Sequence, residues 1–127
     1  MTKLICIAAG GAVGALLRYG LSGWAQRLTP GLFPVGTLTV NVIGCVLIGV
    51  LAALFAGPQF VREEYRWVLM VGLLGAFTTF STYGLETMTL VNDGQFARAG
   101  LNVLLSNGLG LTAVWVAYRL TERMTGG

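Results

Sequence analysis

Residues 72–86 read Gly-Leu-Leu-Gly-Ala-Phe-Thr-Thr-Phe-Ser-Thr-Tyr-Gly-Leu-Glu and place five hydroxyl side chains within a stretch that is otherwise apolar. Polar groups at membrane depth must bind partners inside the protein or line a water-filled cavity, because lipid offers them no hydrogen bonds. A cluster of this density predicts a permeation pathway or a binding site. We call residues 72–86 the hydroxyl segment.

The composition predicts an all-α integral membrane protein. Of the 127 residues, 55% are hydrophobic and only 10% charged, and the mean hydropathy is +0.76. A membrane-spanning helix needs about 20 mostly apolar residues, and such stretches lie at 4–24, 35–55, 67–91 and 97–118. We therefore predict a single domain over 1–127 with four transmembrane helices, the first of which is too long for a signal-peptide core. The connectors, 26–34, 57–66 and 92–95, are too short to hold a soluble active site.

The charge pattern argues against nucleic-acid binding, because the net charge is only +3 and its Lys and Arg residues lie mostly at predicted helix ends. Four helices put both termini on one side of the membrane, and that side has only a small excess of positive residues. A shallow bias permits insertion in both orientations. Dual topology is therefore compatible with the charges, although they do not establish it.

Oligomerisation is expected because four packed helices fill their own centre. A route for a solute or an ion forms most simply where two copies meet. Glycine pairs that allow close helix contact in lipid are Gly10 with Gly14, Gly44 with Gly49, and Gly72 with Gly75. For Gly10 and Gly14 we favour packing within one chain.

The hydroxyl segment also predicts a third helix that is broken near mid-membrane. Gly75 weakens a helix, and the Thr78 hydroxyl competes for backbone carbonyls. An unwound turn frees carbonyl oxygens that could coordinate a cation at this depth, either structural or transported.

Neutral polar side chains on other helices extend the candidate site. The second helix carries Asn41, and the fourth carries Asn102 and Ser106 one turn apart. Each one alone is better explained by a hydrogen bond between helices, but together with the hydroxyl segment they suggest a polar track. Neutral donors suit a small anion, because they replace its hydration without the trap that a buried Lys would form. Phe80 and Tyr83 share a helix face where ring edges could meet an anion, although aromatic residues at this spacing more often pack in a core.

The sequence allows more than one role for each of two charged residues, Arg18 and Glu86. Arg18, near the end of the first helix, could extend to the membrane interface or attract anions to a vestibule. Glu86 is the only carboxylate within a predicted span. It could accept structural hydrogen bonds, carry an interfacial charge, or carry a proton.

Three motifs together resemble the Fluc fluoride channel family, also called CrcB. They are Gly-Gly-Ala-Val-Gly-Ala-Leu-Leu-Arg at 10–18, Gly-Thr-Leu-Thr-Val-Asn at 36–41 and Gly-Ala-Phe-Thr-Thr-Phe-Ser-Thr-Tyr at 75–83. The resemblance spans all four helices with the motifs in the family's order. Each motif is weak alone, but their combination is specific.

The resemblance implies a channel that exports fluoride passively across the cell inner membrane and so reduces its toxicity. It further implies an antiparallel, dual-topology homodimer in membrane lipid, with two pores along the interface and a break in the third helix. A structural Na⁺ at the dimer interface would be held by the backbone carbonyls of Gly75 and Thr78.

The same resemblance implies the residues of the anion pathway. These are Asn41, Phe80, Ser81, Thr82, Tyr83, Asn102, Ser106 and, on the first helix, Arg18. Tyr83 departs from the family's usual Phe, and its additional hydroxyl could donate to the anion or block its passage. Gly110 stands where some relatives carry Ser, which could shorten the polar track.

Other classes of function fit the sequence less well. A small dual-topology proton-coupled multidrug transporter matches the length and the helix number, but such a mechanism needs a central carboxylate, commonly on the first helix, and this first helix has none. We expect no enzyme, because the chain contains no His and Ser81 has no neighbouring base. A purely structural subunit would leave the hydroxyls unexplained.

Overall fold

The computed structural model describes residues 1–57 and 62–126, and within these ranges the chain is helical with no strand. Four helical stretches are long and apolar enough to cross a membrane: Thr2–Leu28, Val35–Ala56, Glu63–Asn92 and Phe96–Met124. The all-α class and the four membrane-capable helices are therefore as predicted. We name the first two α1 and α2.

The third stretch is composed of several segments. It begins with α3 (Glu63–Arg66), continues as a π-helix (Trp67–Leu74) and then as a short α4 (Gly75–Phe77). Thr78 and Thr79 follow with extended backbone, and α5 (Phe80–Asn92) completes the stretch. The fourth stretch, α6, is Phe96–Met124.

The helix ends differ from the spans expected from hydropathy. α1 and α6 continue into polar turns, and near the end of α6 Arg119 forms an ion pair with Glu122 at 3.0 Å. The difference arises because hydropathy marks the apolar centre of a helix, whereas backbone hydrogen bonding continues into water. Within the expected connector 57–66, Glu63–Arg66 is helical; positions 58–61 lie outside the described residues.

α1 packs closely on the π-helix through glycines. A side chain at Gly10 would collide with the backbone of Val68, one at Gly14 with the backbone of Leu73, and one at Gly72 with the carbonyl of Ile7. The expectation that Gly10 and Gly14 serve packing within the chain is therefore confirmed.

α2 lies between the third stretch and α6. A side chain at Gly44 would collide with the methyl group of Thr78, and one at Gly49 with the α6 backbone. Beside these contacts, Val40, Leu74 and Phe77 form a small buried core. These contacts hold the middle of the third stretch against α2.

Most of the apolar surface points outward. Only 11–22% of the most apolar part of each membrane-capable helix is buried within the chain. A surface of this kind needs lipid or another protein copy to cover it. Gly75 belongs to this outer surface: it is exposed, and a side chain there would meet only the Met70 carbonyl, at 3.9 Å.

Candidate functional site

Asn41 holds the extended backbone between α4 and α5. Its Oδ1 accepts a hydrogen bond from the Thr79 N–H at 2.8 Å, and its Nδ2 donates to the Thr79 carbonyl at 3.0 Å. A primary amide presents a donor and an acceptor side by side and can pair with one backbone residue as a neighbouring strand would. The side chain therefore supplies both hydrogen bonds that Thr79 would lose in a broken helix.

The same arrangement frees two backbone carbonyls. In a continuous helix the Gly75 carbonyl would accept from the Thr79 N–H, and the Thr78 carbonyl from the Thr82 N–H. Here the Thr79 N–H donates to Asn41, and the Thr82 N–H donates to the Thr79 hydroxyl at 3.2 Å. The two carbonyls predicted to hold a cation are thus the ones whose helical donors are redirected.

The residues at and beside the extended backbone offer uncharged oxygen atoms, from backbone carbonyls and from the Asn41, Thr78 and Thr79 side chains. Across residues 1–57 and 62–126, no group of three His, Cys, Asp or Glu side chains is placed to bind a metal ion. Carbonyl oxygens suit hard cations rather than transition metals.

An open groove of about 340 Å³ lies along the break. Asn41 and Gly44 of α2 line one side, and Gly75, Thr78 and Phe80 line the other. The groove therefore joins the candidate cation ligands to the first aromatic residue of the predicted anion pathway.

Phe80 and Tyr83 lie next to each other at the start of α5. Their ring centroids are 5.3 Å apart, with the ring planes tilted by 55°. Phe80 is 81% exposed in the single chain, so lipid, a second copy or a solute can reach its ring. The ring therefore does not belong to the core of one chain.

Three hydroxyls cluster beside these rings. The Thr79 hydroxyl caps α5 by accepting from the Thr82 N–H, and it donates to the Thr82 hydroxyl at 2.9 Å. The Ser81 hydroxyl is 3.5 Å from that of Thr79 and is exposed. Thr79 was not among the predicted site residues, although a Thr directly before a helix is a recognisable capping signal.

Asn102 and Ser106 belong to a hydrogen-bonded chain that reaches Tyr83. Ser106 donates to the Asn102 side chain at 3.3 Å, Asn102 donates to the Thr87 hydroxyl at 2.9 Å, and Thr87 donates to the Tyr83 carbonyl at 2.8 Å. Asn102 is only 1% exposed. The two predicted residues therefore lie together, but their hydrogen bonds point inward. Thr87 was missed because a lone Thr in a helix is an ordinary feature.

Asn107 also contacts Tyr83 and was not predicted. Its Nδ2 donates to the Tyr83 hydroxyl at 3.2 Å and to the Val103 carbonyl at 2.9 Å. An exposed Asn beside Ser106 gave no sign of its partner, because the two positions are 24 residues apart in sequence.

Glu86 contacts α2 rather than the aromatic pair. Its Oε1 accepts from the Thr37 hydroxyl at 2.7 Å, and its Oε2 is buried with no partner among the described residues. Nearby, Gln26 joins α1 to the start of α2 by donating to the Phe33 carbonyl and accepting from the Gly36 N–H, both at 3.1 Å. Of the roles considered for Glu86, that of a structural hydrogen-bond acceptor agrees with this contact, in which Thr37 is the donor.

Arg18 is half-buried on α1, which packs mainly on the π-helix, α2 and α4. Among the described residues its side chain takes part in no hydrogen bond or ion pair. Its place in the anion pathway therefore stays a prediction.

Residues 5–118 match the family model described as CrcB-like protein, Camphor Resistance (CrcB). The chain belongs to the CrcB family. A CrcB relative from Sulfurovum sp. (strain NBC37-1), named Fluoride-specific ion channel FluC, is 44% identical over 97% of this chain and 96% of its own length. A relative of the same name from Geobacter sulfurreducens is 46% identical over 98% of this chain and its whole length. The resemblance inferred from the sequence motifs is confirmed.

Proposed function

We propose that this protein is a fluoride-selective ion channel that exports fluoride passively. It is a multi-pass protein of the cell inner membrane and is not an enzyme. The observation that carries the proposal is the near-complete alignment with relatives named fluoride-specific ion channels. The exposed Phe80 beside a cluster of hydroxyls supports it, since these groups offer an anion neutral donors and ring edges. Nothing comparable favours a proton-coupled multidrug transporter.

The functional unit we propose is an antiparallel homodimer with two pores along its interface, made by copies of dual topology. The groove lined by Gly75, Thr78 and Phe80 is open along one side in a single chain, so a second copy is needed to enclose a pathway. The outward apolar surface of the chain supplies area for that contact. Membrane lipid covers the rest.

The extended pair Thr78 and Thr79 stands at the middle of the 30-residue stretch Glu63–Asn92, and we place it near mid-membrane. Gly75 and Thr78, whose carbonyls lose their helical donors, line a groove at the proposed interface, and we propose that these carbonyls point into it. Two copies would offer four such oxygens, a donor set that fits Na⁺. A bound Na⁺ would supply positive charge that holds the two broken helices together.

The anion pathway we propose runs past Phe80 and Tyr83. The exposed Ser81 hydroxyl and the Thr82 hydroxyl are available on the same helix turn as the rings, and Asn41 retains one N–H beyond the one that it donates to Thr79. Fluoride is small and strongly hydrated, so several converging donors in a narrow site offset its dehydration better than that of chloride.

We further propose that three more residues contribute to the pathway, namely Asn102, Ser106 and Arg18. Asn102 and Ser106 continue the polar track toward α6, although their present hydrogen bonds are with each other and with Thr87. Arg18 would act at a distance, as a positive charge that draws anions toward the pore mouth.

Efflux from proteoliposomes tests the proposal. Vesicles loaded with potassium fluoride or potassium chloride are diluted into an isotonic impermeant salt, and valinomycin is added so that potassium can follow the anion. Ion-selective electrodes should record rapid fluoride release and retained chloride. Fluoride release no faster than from protein-free vesicles, or chloride release at an equal rate, overturns the proposal.

A further inference from the structure

The Tyr83 side chain is oriented by a residue of α6 that the proposed pathway does not yet include. The Asn107 Nδ2 atom lies 3.2 Å from the Tyr83 hydroxyl oxygen and 2.9 Å from the Val103 carbonyl oxygen. Both contacts involve the same amide nitrogen, and an amide nitrogen carries two hydrogens.

The Val103 carbonyl fixes which way the Asn107 amide points. A carbonyl oxygen can only accept a hydrogen bond, so the amide group facing it must be the NH₂ and not the oxygen. The same NH₂ faces the Tyr83 hydroxyl, and it has no lone pair with which to accept. Asn107 is therefore the donor to Tyr83.

The bond with Asn107 consequently does not use the hydrogen of the Tyr83 hydroxyl. A phenol has one O–H, and because its oxygen accepts from Asn107 that hydrogen is free for another acceptor. Donation from Asn107 also polarises the O–H bond, since hydrogen bonds in a chain strengthen one another. A polarised O–H without an acceptor is suited to an anion, for which charge-assisted hydrogen bonds are the strongest kind.

The backbone of Tyr83 is fixed as well. Its carbonyl accepts from Thr87, which is itself held by the buried Asn102 of α6. The centroid of its ring lies 5.3 Å from that of the exposed Phe80, and its hydroxyl contacts Asn107 of α6. α6 therefore orients Tyr83 at both ends.

We propose that the Tyr83 hydroxyl is a fluoride-binding donor in the pathway and that Asn107 is the positioning residue that keeps its hydrogen available. The inference rests on the proposed fluoride channel and adds to it a donor that a Phe at this position would lack. Tyr83 therefore strengthens fluoride binding rather than blocking passage.

The concentration dependence of fluoride flux in the purified, reconstituted protein tests this inference. Tyr83→Phe removes the hydroxyl and keeps the ring, so the half-saturating fluoride concentration should rise about 10-fold, the usual value of one hydrogen bond to a charged group. Tyr19→Phe, which removes an exposed hydroxyl from α1, is the matched control and should leave this concentration unchanged.

A double-mutant cycle tests the positioning role. Asn107→Leu should also raise the half-saturating concentration, and adding it to Tyr83→Phe should cause no further rise, because both changes remove the same donor. Size-exclusion chromatography in detergent identifies any variant that no longer forms the wild-type assembly, and Asn107→Ser then replaces Asn107→Leu.

The outcomes separate this inference from the function on which it rests. If the wild-type protein carries no fluoride, the proposed function fails and the inference fails with it. If the wild type carries fluoride but Tyr83→Phe has an unchanged or lower half-saturating concentration, only the inference is overturned. Additive effects of Tyr83→Phe and Asn107→Leu overturn the role of Asn107.

Discussion

Two groups of side chains differ in what they contact. We call Asn41 and Asn102 the inner layer, and Phe80, Ser81 and Tyr83 the outer face. In the inner layer, Asn41 and Asn102 direct their amides at backbone or hydroxyl groups of the same chain. In the outer face, Phe80, Ser81 and Tyr83 lie where a second copy or an ion can reach them. The hydrogen bonds of the inner layer hold segments of the chain in place, whereas the outer face has donors and ring edges that are accessible from outside the chain.

A polar residue in a membrane helix is therefore not by itself evidence of a pathway. A buried amide without partners is costly, so folding finds partners for it. What separates the two layers is exposure: the Asn41 and Asn102 amides are bound to groups of the same chain in buried or half-buried positions, whereas the Phe80 ring and the Ser81 hydroxyl are exposed. Substitutions in the inner layer should therefore affect stability first, and those in the outer face should affect flux first.

Asn41→Asp should have the largest effect, because Asn41 belongs to the inner layer but also lines the groove. A carboxylate cannot donate to the Thr79 carbonyl, and its charge repels the anion. We expect fluoride flux to fall about 100-fold or more, together with a lower thermal unfolding midpoint.

Asn92→Asp, at the exposed end of α5, is the matched control and should conduct as the wild type does. Wild-type flux in Asn41→Asp would remove Asn41 from the pathway and leave it a purely structural role.

Phe80→Ile should come next and should affect flux alone. The side chain is 81% exposed, so its replacement disturbs no buried packing, but it removes the ring edge and the contact with Tyr83. Fluoride efflux should fall about 10-fold with an unchanged elution volume of the assembly.

The control for Phe80→Ile is Phe96→Ile, which alters an exposed ring at the start of α6. Equal flux in the two variants would assign Phe80 to lipid or to subunit packing.

Asn102→Leu should show the opposite balance. The substitution removes the hydrogen bonds to Thr87 and Ser106 in a buried position and should lower the free energy of unfolding by about 1–2 kcal/mol. Flux should fall less than in Phe80→Ile, because Asn102 acts on Tyr83 through Thr87. A flux loss larger than that of Phe80→Ile, with stability unchanged, would place Asn102 in contact with the anion.

Thr87→Val should give the smallest effect and has a close control in Thr89→Val. Both hydroxyls donate to the carbonyl four residues earlier, but only Thr87 also accepts from Asn102. Thr87→Val should therefore cost about 0.5–1 kcal/mol more of unfolding free energy than Thr89→Val. Equal costs would mean that the link from α6 contributes nothing.

The parts of the fold that depend on local sequence were predictable. Hydropathy located four helices because each apolar run is long enough to span a bilayer. The packing of Gly10 and Gly14 was predictable because closely spaced glycines in lipid need a close neighbour. The helix ends were less predictable, because hydropathy does not distinguish a polar helical turn from a loop.

The pairing of distant side chains was not predictable. Asn41 and Thr79 are 38 residues apart, and Tyr83 and Asn107 are 24 apart, so only the packing of the helices brings them together. The π-helix at Trp67–Leu74 was also missed. Its residues have the same apolar pattern as those of an α-helix. The two helix types differ in whether each N–H donates to the carbonyl four or five residues earlier, which the pattern does not reveal.

The reversal potential of the reconstituted wild-type protein in a planar bilayer shows whether the outer face forms a fluoride-selective route. With equal concentrations of sodium fluoride on one side and sodium chloride on the other, we expect a current carried by fluoride and a reversal potential far from zero, with the sign set by fluoride selectivity. A reversal potential at zero would mean that the two anions permeate equally and that the route is not selective for fluoride.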